Sequence, residues 1–174
     1  MFCLRPLQRK ALCMLYSAAI WAAMVSSSSA LELPTGPVVL TVSGNISTTN
    51  QDEHAEFDQA MLAELGTHTT VTETPWHDKT MTFSGPLARS VLEAVDAEGE
   101  RVIAIALNDY EAEIPVADFY EYDVILATHA NGEPMSVREH GPVFVIYPFD
   151  SDADLHKETI YSRSVWQVNR LLVP

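Results

Sequence analysis

The 174-residue chain holds two cysteines, Cys3 and Cys13, and no other follows. From residue 14 onward this excludes a cysteine nucleophile, a disulfide and a cysteine-ligated metal, each of which needs a thiolate or a pair of thiols. Basic residues are scarce: 10 Lys and Arg stand against 24 Asp and Glu, a net charge of −14. Such a surface repels nucleic acid and anionic membrane, so neither is expected as a partner. The sequence has no glycine-rich phosphate loop and no Gly-x-Ser-x-Gly elbow. Its histidines, His54, His68, His77, His129, His140 and His156, include no i, i+4 pair of the kind that holds zinc on a helix.

The first 30 residues have the layout of a secretory signal: basic Arg5, Arg9 and Lys10, an apolar stretch from Leu12 to Val25, and small Ser28-Ser29-Ala30 suited to cleavage. There is no Arg-Arg pair, so the general secretory route is expected rather than the twin-arginine route for prefolded cargo. An uncleaved amino-terminal anchor is the alternative, although Leu12–Val25 is short for a membrane span. Cleavage after Ala30 removes three basic and no acidic residues, leaving 7 against 24, a net −17. Residues 31–174 are long enough for one domain with a real core, and 47% apolar composition fits a packed globule.

Within 31–174 the patterning predicts short strands and two amphipathic helices. Val38–Val42, Thr67–Thr74, Thr80–Phe83, Arg101–Leu107, Glu113–Pro115, Asp123–Thr128, Val143–Tyr147 and Trp166–Val173 read as strands. Asn50 with Glu53 can cap a helix carrying Phe57, Met61, Leu62 and Leu65 on one face, ended by Gly66. A second helix opens at Gly85-Pro86 and buries Leu87, Val91 and Val95. Pro115–Tyr120 suggests one helical turn, and Asn131-Gly132 a tight turn. Pro75–Lys79 reads as loop. The expected class is α+β, a single mixed-sheet domain.

Four polar-aromatic clusters could carry chemistry. In Thr72-Glu73-Thr74-Pro75-Trp76-His77-Asp78-Lys79, a loop tryptophan either stacks on a flat ligand or folds back onto the domain. Asn108-Asp109-Tyr110 follows a buried strand, where polar groups either line a cleft or make a turn. In Arg138-Glu139-His140-Gly141-Pro142 the guanidinium either forks onto a ligand or pairs with Glu139. Tyr161-Ser162-Arg163-Ser164-Val165-Trp166 repeats the combination of hydroxyls, guanidinium and aromatic ring.

In order along the chain, Thr80–Leu87, Asn108-Asp109-Tyr110, Ile125-Leu126-Ala127 with Asn131-Gly132-Glu133-Pro134, Arg138–Pro142 and Arg163-Ser164-Val165 resemble the molybdopterin-binding oxidoreductase domain of the sulfite oxidase family. The resemblance implies a sheet domain around a pterin pocket. Enzymes of that family ligate molybdenum through a cysteine upstream of the segment like Thr80–Leu87; here the corresponding stretch, Thr72–Trp76, has no thiol. Trp166 also stands where a basic residue often follows Arg-Ser-Val. The chain is therefore similar to a small, exported, cysteine-free branch that binds a pterin without molybdenum and partners membrane-anchored cyclic-di-GMP signalling proteins in the periplasm. On that likeness Trp76 stacks on the ring, Asp109 or Glu73 accepts from its N–H groups, and Arg138 donates to its carbonyl edge. Thr74, Asn108, Tyr110, Arg163, Ser164 and Trp166 complete the expected pocket. The alternatives are a molybdopterin-dependent oxidoreductase with an atypical ligand set, or an interaction module with a vestigial pocket.

Overall fold

A computed structural model describes residues 31–174. The secretory signal expected over residues 1–30, with both cysteines, lies outside the described residues. No helix among the described residues is long and apolar enough to cross a membrane.

The chain enters through β1 (Val38–Gly44), which runs antiparallel to β2 (His54–Asp58) and parallel to the much later β11 (Val168–Val173). Beyond β11 lie β5 (Arg101–Ala106) and β6 (Glu111–Pro115), giving a five-stranded mixed sheet in the order β2-β1-β11-β5-β6. A second sheet carries β3 (His68–Thr74), β4 (His77–Gly85), β8 (His129–Ala130) and β9 (Glu133–Pro134) in that order. β7 (Ile125–Ala127) and β10 (Phe144–Ile146) form a buried antiparallel pair. Four short helices complete the fold: α1 (Gln59–Glu64), α2 (Ala88–Ala94), α3 (Val116–Glu121) and α4 (Glu158–Arg163). This is the expected α+β class: the two expected helices are present with shifted starts, the turn expected at Pro115–Tyr120 forms α3, and α4 is additional.

Several boundaries differ from the sequence reading for identifiable reasons. The first expected helix is half strand. Phe57 lies in β2, fully buried, and the helix begins only at Gln59. Asn50 does not cap it. Its amide brackets the backbone of Glu56, accepting from N–H at 2.8 Å and donating to C=O at 2.9 Å. The cap is Asp58, whose carboxylate accepts from Met61 N–H at 2.9 Å. Gly66 follows as expected, at φ 98°. The segment Pro75–Lys79 is not a loop, because β3 turns at Pro75-Trp76 and β4 starts at His77. The second helix begins at Ala88, two residues past Pro86, with Leu87 as its N-cap. α4 was not expected at all, since Glu158–Arg163 buries only Ile160 and shows no apolar stripe.

Two hydrophobic clusters form the core. The larger packs α1, α2 and α3 against the five-stranded sheet through residues such as Leu40, Phe57, Val91, Ile114 and Phe119. The smaller joins Phe83, Ile125, Ala127, Met135, Phe144 and Ile146. β4 crosses β7 so closely that a Cβ on Gly85 would sit 2.1 Å from the Leu126 carbonyl oxygen. Gly85→Ala is therefore expected to destabilise the protein by about 2 kcal/mol or more, as a shift in urea midpoint will show.

Asp58 also ties the entering chain to the sheet, accepting from Thr35 N–H at 2.9 Å and Gly36 N–H at 2.7 Å. The backbone donors Met61 and Gly36, in that order, hold its carboxyl below the usual carboxylate range. A lowered folded-state pKa means that the unfolded chain binds the proton more readily. The stabilisation is thus full above the unfolded value, near pH 4, and drains away as pH falls through the folded value. Asp58→Asn should cost about 1 kcal/mol at pH 7 and flatten the acid limb of the stability profile, measured by denaturant unfolding from pH 7 to pH 2.5.

Candidate ligand pocket

The β3–β4 hairpin, the turn after β5 and the α4–β11 connection meet around a cavity of about 320 Å³. Its walls are Trp76, Ala106, Asn108, Tyr110, Glu158, Tyr161, Ser162, Ser164, Val165 and Trp166. The volume lies at the small end for ligand sites, suited to a single flat ring system rather than a dinucleotide.

Trp76 is the organising side chain. Perched on the hairpin turn, it is half-buried and packs against both core clusters. Its ring makes edge-on contacts with Phe144, Trp166, Tyr161 and Phe149 at centroid distances of 5.5, 5.7, 6.1 and 6.2 Å. This geometry is the one that aromatic quadrupoles prefer. Of the two readings the sequence left open for this residue, the ring folds back onto the domain, and from that position it also lines the cavity. The Asn108–Tyr110 segment is likewise both turn and lining. Asp109 sits at φ 60°, Asn108 Oδ1 accepts from Tyr110 N–H at 3.1 Å, and the Tyr110 hydroxyl donates to the Ser162 carbonyl at 3.1 Å across the mouth.

Of the ten expected site residues, the structure brings Trp76, Asn108, Tyr110, Ser164 and Trp166 to the cavity and leaves five out of its lining. Asp109 holds Arg170 at 2.8 Å. Glu73 is exposed, its backbone N–H donating to Asp150 at 3.1 Å. Thr74 Oγ1 shares a 2.7 Å hydrogen bond with His77 Nδ1. Arg138 is exposed on a short 3₁₀ turn and does not pair with Glu139, whose carboxylate instead accepts from the Ser136 hydroxyl at 2.8 Å. Arg163 turns inward to Asp118, 2.9 Å away. That same Asp118 oxygen accepts from the buried Tyr147 hydroxyl at 2.7 Å. Burial first, and the carboxylate second, push the Tyr147 hydroxyl far above its ordinary range, so it stays a donor. Arg163 is thus a positioning residue that pins the end of α4 to α3.

Sequence reasoning missed Glu158 as a lining residue, because α4 gave no periodic signal, and it left Tyr161 and Ser162, which it had placed in a polar-aromatic cluster, out of the expected pocket. It also missed the histidine pair beside the pocket. His77 and His140 lie 5.3 Å apart, and the His140 ring is 5.5 Å from Trp166. Burial, then the neighbouring His140, lowers the His77 pKa and keeps that ring neutral at neutral pH.

The chain belongs to the oxidoreductase molybdopterin-binding domain family, whose model matches residues 39–151. No curated protein matches it. The resemblance seen in the sequence is thereby shown for most of the chain, although the matched region stops short of Arg163-Ser164-Val165.

The lining residues fit one part of a molybdopterin and not the rest. Four aromatic rings suit a flat pterin. The metal-bearing end meets no thiol anywhere in 31–174, and the described residues hold no group of three or more His, Cys, Asp or Glu placed to bind a metal. The role given to Arg163 has its own test. Asp118→Ala, which strands a guanidinium and a buried hydroxyl, should cost about 3 kcal/mol. Tyr147→Phe should cost about 1 kcal/mol by the same unfolding assay.

Proposed function

We propose that this protein binds a pterin without carrying out a reaction on it, and that the liganded form regulates a membrane-anchored signalling partner of cyclic-di-GMP type in the periplasm. The observation that carries the first half is the cavity itself: four aromatic walls, hydroxyls at Ser162 and Ser164, an amide at Asn108, and no thiol within residues 31–174. Trp76 and Trp166 stack on or edge the ring. Each such contact contributes on the order of 1 kcal/mol beyond area burial. Asn108 offers its amide to a polar ring edge, and the Ser162 and Ser164 hydroxyls, which donate to the Thr159 and Ile160 carbonyls at 2.9 and 3.0 Å, meet it as acceptors.

The second half is supported by the likeness to exported, cysteine-free members of the family. A ligand can move a partner between two states only through its different affinity for them. The excess of acidic residues favours a basic partner face and serves association rate more than affinity.

Family membership favours a second reading, a molybdopterin-dependent oxidoreductase with an atypical ligand set. One experiment separates the two. Protein purified from its native host is analysed for small molecules by mass spectrometry and for metal on the same sample. The expected result is a pterin without molybdenum; stoichiometric molybdenum would restore the enzyme. Trp76→Ala should then weaken pterin binding at least about tenfold by calorimetric titration. It should also destabilise the fold by about 2 kcal/mol, because the ring joins both core clusters.

A further inference from the structure

We infer, resting on the pterin reading of this cavity, that the pocket selects its ligand by charge. Glu158 receives an N–H-bearing ring edge and turns away phosphate esters, including the phosphorylated molybdopterin that the family's name implies. Glu158 is the one charged side chain in the lining, and no Lys or Arg joins it there. It occupies the first turn of α4, exposed at the mouth, with Tyr161 one helical turn further along the same wall.

The cations closest in the chain are already committed. Lys157 holds Asp154 at 2.8 Å, Arg163 holds Asp118 at 2.9 Å, and Arg170 holds Asp109 at 2.8 Å. Arg138, which makes no ion pair among the described residues, lies outside the lining. A phosphate entering this cavity would meet a carboxylate with no neutralising partner. It would also approach a chain whose net charge is −14. A 2-aminopyrimidinone edge presents adjacent N–H donors, which a carboxylate accepts in pairs. The aromatic walls add to this preference, since their faces favour a protonated or electron-poor ring over an anion. Glu158 therefore takes the acceptor role that the sequence had assigned to Asp109 or Glu73.

The test uses neopterin and its monophosphate ester, titrated calorimetrically into the wild-type protein, Glu158→Gln and Glu158→Lys at low and high salt. Wild type should bind neopterin at least about tenfold more tightly than the ester at low salt. The gap should narrow as salt rises. Glu158→Gln should weaken neopterin several-fold, and Glu158→Lys should erase or invert the preference. Equal wild-type affinity for the two compounds, or a preference that Glu158→Lys leaves intact, overturns the charge selection while leaving the pterin reading standing. Binding of neither compound to wild type overturns that reading and this inference with it.

Discussion

The contact between the Trp76 ring and its aromatic neighbours is the joint on which the rest of the structure depends. The described residues form two apolar clusters, and Trp76 packs against both. One edge of the indole meets Phe144 from the buried strand pair; others meet Tyr161 and Trp166 from the far end of the chain. A tight β3–β4 turn delivers this large side chain to the place where the two clusters meet. Packing and the proposed recognition therefore draw on one ring, and they cannot be varied independently.

A second constraint is the way the carboxylates use the few cations. Arg89 reaches Asp123 at 2.7 Å, Lys157 pairs with Asp154 just ahead of α4, Arg163 ties α4 to α3, and Arg170 ties the turn after β5 to β11. With so few basic residues among so many acids, a cation spent on architecture is unavailable to a ligand. The cavity is left aromatic, hydroxylic and faintly acidic. That composition follows from the charge imbalance as much as from any demand of the ligand.

Much of this was legible in the sequence because it is local. Strand runs such as Arg101–Leu107 and the Asn131-Gly132 turn follow from β-branched content and left-handed backbone preference, and both appear where expected. Trp76, Tyr110 and Trp166 stood out as aromatic residues in polar settings. What stayed hidden was tertiary. Phe57 fits a helical stripe and a strand equally well, and pairing of β2 with β1 decides for strand. Arg163 and Asp109 looked like ligand residues because their types suit the chemistry. Their partners, Asp118 and Arg170, lie 45 and 61 residues away, so no local pattern could expose the pairing. Glu158 was overlooked for the converse reason: an acidic residue on a short polar helix looks like any solvated surface.

The parallel strand β11 fills the middle of the five-stranded sheet, yet it comes after every other element in the chain. Six of the ten residues that wall the cavity lie between Glu158 and Trp166, just ahead of it and beyond the family-matched region. The sheet and the pocket are thus completed by neighbouring stretches of the same segment. The stretch that supplies most of the cavity wall runs directly into the strand that fills the centre of the sheet. Seating of the central strand and shaping of the cavity are therefore coupled through one stretch of backbone, so a small molecule held there would act as a seal on the sheet.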